Sequence, residues 1–259
     1  MWQQDGFNQE IIDMAHVDEY AVNAYIAKVF GWMFIGLLVT TLTTVGIIFG
    51  VNLSYAFTAF VDTMFSMVLV VFIAQVILVS VISARVAKMN PTTAKLLYVL
   101  YAVTNGFTVG LVAVLISTQI GGLYTLGVAF GVTTLSFGIM AVYGLKTNQD
   151  LTRFSSLLRM ALIGLIIAVV ANLFLGNSAL DLLIIVGGLI LFLGLVAADT
   201  NKIKNHFAQV ALYGDESGDE QALSQEALAS NLAIVGALML YLDFINIFMF
   251  ILRLLARRR

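Results

Sequence analysis

Cysteine is absent from this 259-residue chain, proline occurs once, and charged side chains make up only 11% of it. Without cysteine there is no disulfide framework and no thiolate metal site. The lone Pro91 falls in a connection, where it interrupts no helix. So little charge excludes the basic surface that nucleic-acid binding requires. With 61% apolar residues and a mean hydropathy of +0.99 it also excludes a soluble globular domain. The N-terminal segment carries Asp5, Glu10, Asp13, Asp18 and Glu19 and has no basic n-region, so no secretory signal peptide is expected and the first apolar segment serves as the insertion signal.

What the chain has in abundance is long apolar runs. Seven of them, at about 29–51, 64–84, 96–117, 123–145, 157–175, 182–200 and 231–255, each approach the ~20 residues a helix needs to cross ~30 Å of hydrocarbon. Outer-membrane strands alternate with a period of two, and no such alternation runs through these segments. The predicted fold is therefore an all-α integral membrane protein, a seven-helix transmembrane domain over residues 29–256 preceded by a cytoplasmic segment 1–28. In that segment Ile11, Ile12, Met14, Val17 and Tyr20 alternate with acids, the pattern of an amphipathic interfacial helix. Short connections favour antiparallel neighbours. One loop reads as long, between Lys202 and Ser230, with an acidic tip at Asp215, Glu216, Asp219 and Glu220. Gly187, Gly188 and Gly194 read as small-residue packing sites, and His16 and His206 as surface groups.

Lys and Arg are distributed unevenly. Lys28 precedes the first span; Arg85, Lys88 and Lys95 lie between the second and third, Lys146, Arg153 and Arg159 between the fourth and fifth, and Lys202 and Lys204 after the sixth. The alternate connections contain none, which places the amino terminus in the cytoplasm. Arg253, Arg257, Arg258 and Arg259 disagree, because seven full crossings carry them to the far side. A re-entrant last segment would remove the conflict. The uninterrupted apolar run, with no proline and Gly236 alone among glycines, favours a full crossing.

Two aspartates stand where charge is expensive. Asp199 ends the run LIIVGGLILFLGLVAADT, and Asp243 lies twelve residues, ~18 Å along a helix, beyond Asn231. An ionised carboxylate at such depth costs a few kcal/mol or more and marks a path, a cavity or a partner. Asp199 at the polar end of a helix has a plainer reading, but a carboxylate there opposes the helix dipole. Two carboxylates within a few ångströms in a poorly solvated site cannot both ionise easily, so one of the two holds its proton more tightly and the pair titrates as a unit. The two meet only if the sixth helix continues beyond Thr200, through Phe207 and Val210.

The strings Leu240-Tyr241-Leu242-Asp243-Phe244-Ile245-Asn246 and Ala198-Asp199-Thr200-Asn201-Lys202-Ile203 resemble the closing motifs of the Bax-inhibitor-one family, the transmembrane Bax inhibitor motif proteins, and bacterial members above all. Tyr101-Ala102-Val103-Thr104-Asn105-Gly106 is similar to that family's Asn-Gly position. The resemblance implies a last helix wrapped by the other six, and a pH-sensitive calcium leak in which Asp199 and Asp243 share a proton and an arginine acts as a latch. Arg85 matches the latch position best and Lys88 competes with it. The chain departs from some relatives at Ala74-Gln75, where they carry an acid, and at Ala198, where a tyrosine is common.

Calcium takes six to eight oxygens, so the two aspartates form at most a weak site, completed by water, carbonyls or amides such as Asn105 and Asn246, with Tyr241 as a further supporting polar group. No cofactor is expected; calcium enters as the permeant or weakly bound ion, beside protons, the lipid bilayer and membrane-protein partners. The competing readings are a proton-coupled transporter or exporter, an intramembrane aspartyl protease, and a regulator of membrane proteases or survival proteins. The protease reading lacks the Gly-x-Gly-Asp context around Asp243, so the chain is not expected to be an enzyme. The expected location is a bacterial cytoplasmic membrane.

Overall fold

Seven long helices account for the described chain, and no strand occurs among the described residues. They are α1 (Trp2–Leu53), α2 (Val68–Arg85), α3 (Pro91–Ser117), α4 (Gly122–Lys146), α5 (Thr152–Leu175), α6 (Ser178–Tyr213) and α7 (Asp219–Arg257). The structure is a computed structural model. It describes the backbone of residues 2–53, 58–59, 62–63, 66–86, 89–117, 122–147, 149, 151–213 and 219–257, and the side chains of the same residues except 2–19, 52, 117, 152–153 and 206–227. Each helix contains a stretch long and apolar enough to cross a bilayer, seven in all, at the segments expected from the sequence.

Local chemistry sets several of the boundaries. Pro91 is not idle in a connection, as the sequence reading has it; it is the first residue of α3, where its missing N–H costs nothing. Asn90 caps that helix, its Oδ1 accepting from the Thr92 N–H at 2.9 Å. Gly176, at φ +59°, closes α5 in the left-handed conformation. Asn177 then opens α6 by accepting from the N–H groups of Ala179 and Leu180.

Two expectations change. The segment 1–28 is continuous with the first span, since α1 runs unbroken from Trp2; the amphipathic face assigned to Ile11, Ile12, Met14 and Val17 lies outside the described side chains. The long loop after Lys202 is mostly helix, because α6 reaches Tyr213 and α7 begins at Asp219. Ala, Leu and Gln dominate HFAQVALY and QALSQEALAS, and good helix formers extend a helix once it is nucleated. Residues 214–218 and the side chains of Asp219 and Glu220 lie outside the description, so the acidic tip does too, as do the side chains of His16 and His206.

The last helix is the core. Within its membrane stretch α7 is 72% buried, against 44% or less for every other span. It packs directly on α1, α3, α4 and α6, while α2 rests mainly on α3 and α5 mainly on α6. Close helix approach is bought by glycine at two places. A Cβ on Gly106 would stand 2.7 Å from Thr43 Cβ and 2.9 Å from the Thr40 carbonyl, so α1 lies flat on α3 only because that Cβ is absent. A Cβ on Gly144 would run into the Ala197 carbonyl, which joins α4 to α6. Of the three glycines expected to pack, Gly188 faces the Phe250 ring and Gly194 faces Leu158, whereas Gly187 has open space.

Candidate functional site

Asp243 is 5% exposed, in the middle of the most buried helix, and its Oδ2 has no hydrogen-bond partner among the described residues. An unsatisfied buried polar atom is uncommon and calls for a physical explanation. Its electrostatic neighbour is Asp199, half-buried on α6 across the α6–α7 contact. The two acids singled out from the sequence thus stand on α6 and α7, two helices that pack directly on each other. The helix continues fourteen residues past Asp199 to Tyr213, so that Asp199 lies within α6 and not at its frayed end.

A polar collar fixes this part of α6. Asn201 Nδ2 donates to the Gly144 carbonyl at 3.2 Å, its Oδ1 accepts from the Leu151 N–H at 3.3 Å, and Lys204 Nζ donates to the Leu145 carbonyl at 2.9 Å. These bonds satisfy the last carbonyls of α4 and tie the α4–α5 connection to the turn following Asp199. Thr200 turns its hydroxyl to its own helix, on the Val196 carbonyl. Asn201 is nearly fully buried, so this polar group holds position and is not a solvated helix end.

Two cations act on Asp199, Lys202 from the same helix and Arg159 from α5. Arg159 is the residue that sequence reasoning missed: it was counted with the connection charges although it lies two residues inside the fifth apolar run, which was the signal available. Its Nε donates to the Ser155 carbonyl at 3.1 Å, holding the guanidinium along α5. Leu158, one residue earlier, packs 3.2 Å from where a Cβ on Gly194 would stand, so α5 approaches α6 closely at this level. Arg85 is not brought to the pair. Like Arg159 it is exposed and makes no ion pair with a described residue; it differs in standing on α2, which packs on α3, whereas Arg159 stands on α5, which packs on α6. Lys88 lies outside the described residues.

The supporting groups expected from the sequence form a separate cluster. Tyr241 donates to Thr40 Oγ1 at 2.6 Å, since the Thr40 proton is committed to the Ala102 carbonyl at 3.0 Å. The Tyr241 ring meets Tyr98 and Tyr101 edge-on at 6.1 and 5.9 Å. Asn105 Nδ2 donates to Tyr101 Oη at 3.2 Å, and Gln75, on α2, donates to the Thr104 carbonyl and Thr108 Oγ1. Asn246 is bound to its own helix through the Leu242 carbonyl. These contacts lock α1, α2 and α3 to each other and to α7, and none of them reaches the aspartates. No third His, Cys, Asp or Glu joins the pair among the described residues.

The misplaced arginines find partners at the opposite end of α7. Arg253 Nη2 and Arg257 Nη1 bind the two oxygens of Asp181 at 3.0 and 2.9 Å, and Arg257 Nη2 also takes the Ser178 carbonyl. A carboxylate in the first turn of α6 thus pairs with both, which offsets their placement and fits a full crossing.

A family model described as "Inhibitor of apoptosis-promoting Bax1" matches residues 22–259. The chain belongs to the Bax inhibitor family. It is 34% identical over 238 residues to the inner membrane protein YbhL of Escherichia coli, covering 92% of this chain and 93% of that protein. It is also 35% identical over 246 residues to a protein of Borreliella burgdorferi, with 92% and 93% covered. A membrane protein of Streptococcus pyogenes is 32% identical over 185 residues, 71% of this chain and 72% of its own. This Bax inhibitor family member is accordingly a multi-pass membrane protein.

Proposed function

We propose that the protein is a pH-sensitive cation leak, chiefly for calcium, gated at Asp199 and Asp243. The observation that carries the reading is the buried Asp243 carboxylate with an unpartnered oxygen beside a second carboxylate. Such a pair is held by one proton: with it, the acids share a hydrogen bond; without it, two like charges in a poorly solvated contact repel and favour another packing of α6 against α7. Arg159 and Lys202 take the role of counter-cations, in place of Arg85. When α6 and α7 separate, up to four carboxylate oxygens with water offer calcium a weak site, and weak binding suits permeation. The lysines and arginines of the alternate connections support a cytoplasmic amino terminus in a bacterial inner membrane.

Calcium flux into liposomes holding purified protein and an internal calcium-sensitive dye, at pH 6 and pH 8, tests the reading. Wild type is expected to leak to different extents at the two values, and Asp199→Asn and Asp243→Asn to lose that difference. No leak at either pH, or a difference untouched by both substitutions, refutes it.

A further inference from the structure

A groove of about 310 Å³ lies between α1 and α4, floored by α7 where Phe244, Ile245 and Phe248 follow Asp243. It exists because α1 and α4 each pack on α3, α6 and α7 and splay apart above them. One wall carries Thr40, Thr41 and Thr44, yet it offers no polar group to a ligand. Thr40 is committed to Ala102 and Tyr241, Thr41 donates to the Leu37 carbonyl at 2.8 Å, and Thr44 donates to the Gly106 carbonyl at 3.1 Å. With each hydroxyl proton already committed, the threonines offer a ligand no donor, and the remaining lining is apolar. An ion, a sugar or a peptide backbone would be desolvated there without compensation.

The groove is continuous with the surface that faces hydrocarbon. Its rims, Val45 on α1 and Leu123 and Phe130 on α4, are 40%, 64% and 46% exposed and belong to the apolar stretches that cross the bilayer. Its volume is at the lower end of the range in which proteins enclose small ligands. We propose that it binds one acyl chain of a bilayer lipid, entering sideways between α1 and α4 and lying on the α7 aromatic floor. Lipid seated there fills space that would otherwise be a void against the central helix, whose lining atoms would forfeit their dispersion contacts.

The test uses the whole chain in liposomes doped with a phosphatidylcholine bearing a diazirine on one acyl chain, with labelled peptides mapped by mass spectrometry. Label is expected on 123–130 and 244–248 at several times the level on the exposed face of α5 around Ile163 and Ile167. Gly127 lines the groove and a Cβ there meets nothing within 4 Å, so a side chain can start there unobstructed, and Gly127→Phe should occupy the groove and cut that labelling at least threefold. Gly164→Phe, on α5 with equally open space, should leave it unchanged. Label spread in proportion to exposure in the wild-type protein overturns the proposal whatever the variants do, as does undiminished labelling in a folded Gly127→Phe. Disulfide-linked dimers of a Leu123→Cys variant in place of lipid labelling would assign the groove to a second copy of the chain and overturn it equally.

Discussion

Asp243 and Asp199 were legible as residues because charge inside an apolar run is costly in any fold, and that cost needs no structure to be seen. Their counter-cation was not legible. Arg85 and Arg159 both stand near helix ends of the same charge class, and only the docking of α5 on α6 decides which one faces Asp199. Arg159 is itself exposed, so solvent weakens its effect without abolishing it. Arg159→Gln removes a cation that favours the ionised acid and should raise the pH midpoint of the flux, while Arg85→Gln leaves it in place. A shift from Arg85→Gln with none from Arg159→Gln, read from flux between pH 5 and 9, would return the latch role to Arg85. Tyr241 and Asn105 are polar groups in apolar helices, but Tyr241 bonds across to Thr40 on α1 and Asn105 to Tyr101 on its own helix, and neither bond involves the acids.

At the scale of the elements, hydropathy marked all seven spans, because covering the hydrocarbon thickness fixes how long an apolar run must be. It did not mark where helices continue into water. The sixth and seventh extend to Tyr213 and back to Asp219 on polar but helix-favouring sequence, and this extension puts Asp199 inside a helix and not at its end. Contacts between elements then set the stability predictions. Asn231, at the entry of α7 into the bundle, donates to the Val86 and Met89 carbonyls at 2.9 and 2.8 Å. Asn231→Ala removes both bonds, leaving the Val86 carbonyl only the Met89 N–H at 3.1 Å, and should cost about 1–3 kcal/mol in reversible unfolding in mixed micelles. Gly144→Val should destabilise strongly, since Ala197 backbone cannot give way, while Gly138→Val on the same helix, with nothing within 4 Å, should be nearly neutral. Equal effects of the two valines would mean that α4 and α6 do not approach as described.

For the molecule as a whole, burial ranks the helices: α7 is enclosed by α1, α3, α4 and α6, with α2 and α5 standing outside. The C-terminal arginines made the direction of α7 ambiguous in the sequence, because the charge rule and the apolar length gave opposite answers. Asp181 resolves it at a distance in sequence no local reading spans, pairing with Arg253 and Arg257 across the end of the bundle. A cysteine placed near either terminus of this cysteine-free chain should therefore react with an impermeant maleimide from opposite sides of sealed vesicles. Labelling of both from one side would require a re-entrant α7.

The central claim is that the two acids work as one titrating unit, and a double-mutant comparison of calcium flux against pH addresses it most directly. Asp199→Asn, Asp243→Asn and the double variant should show the same flat profile, the second substitution adding nothing to the first. A profile in which each substitution removes its own independent step, or in which the double variant keeps the wild-type pH dependence, contradicts the account.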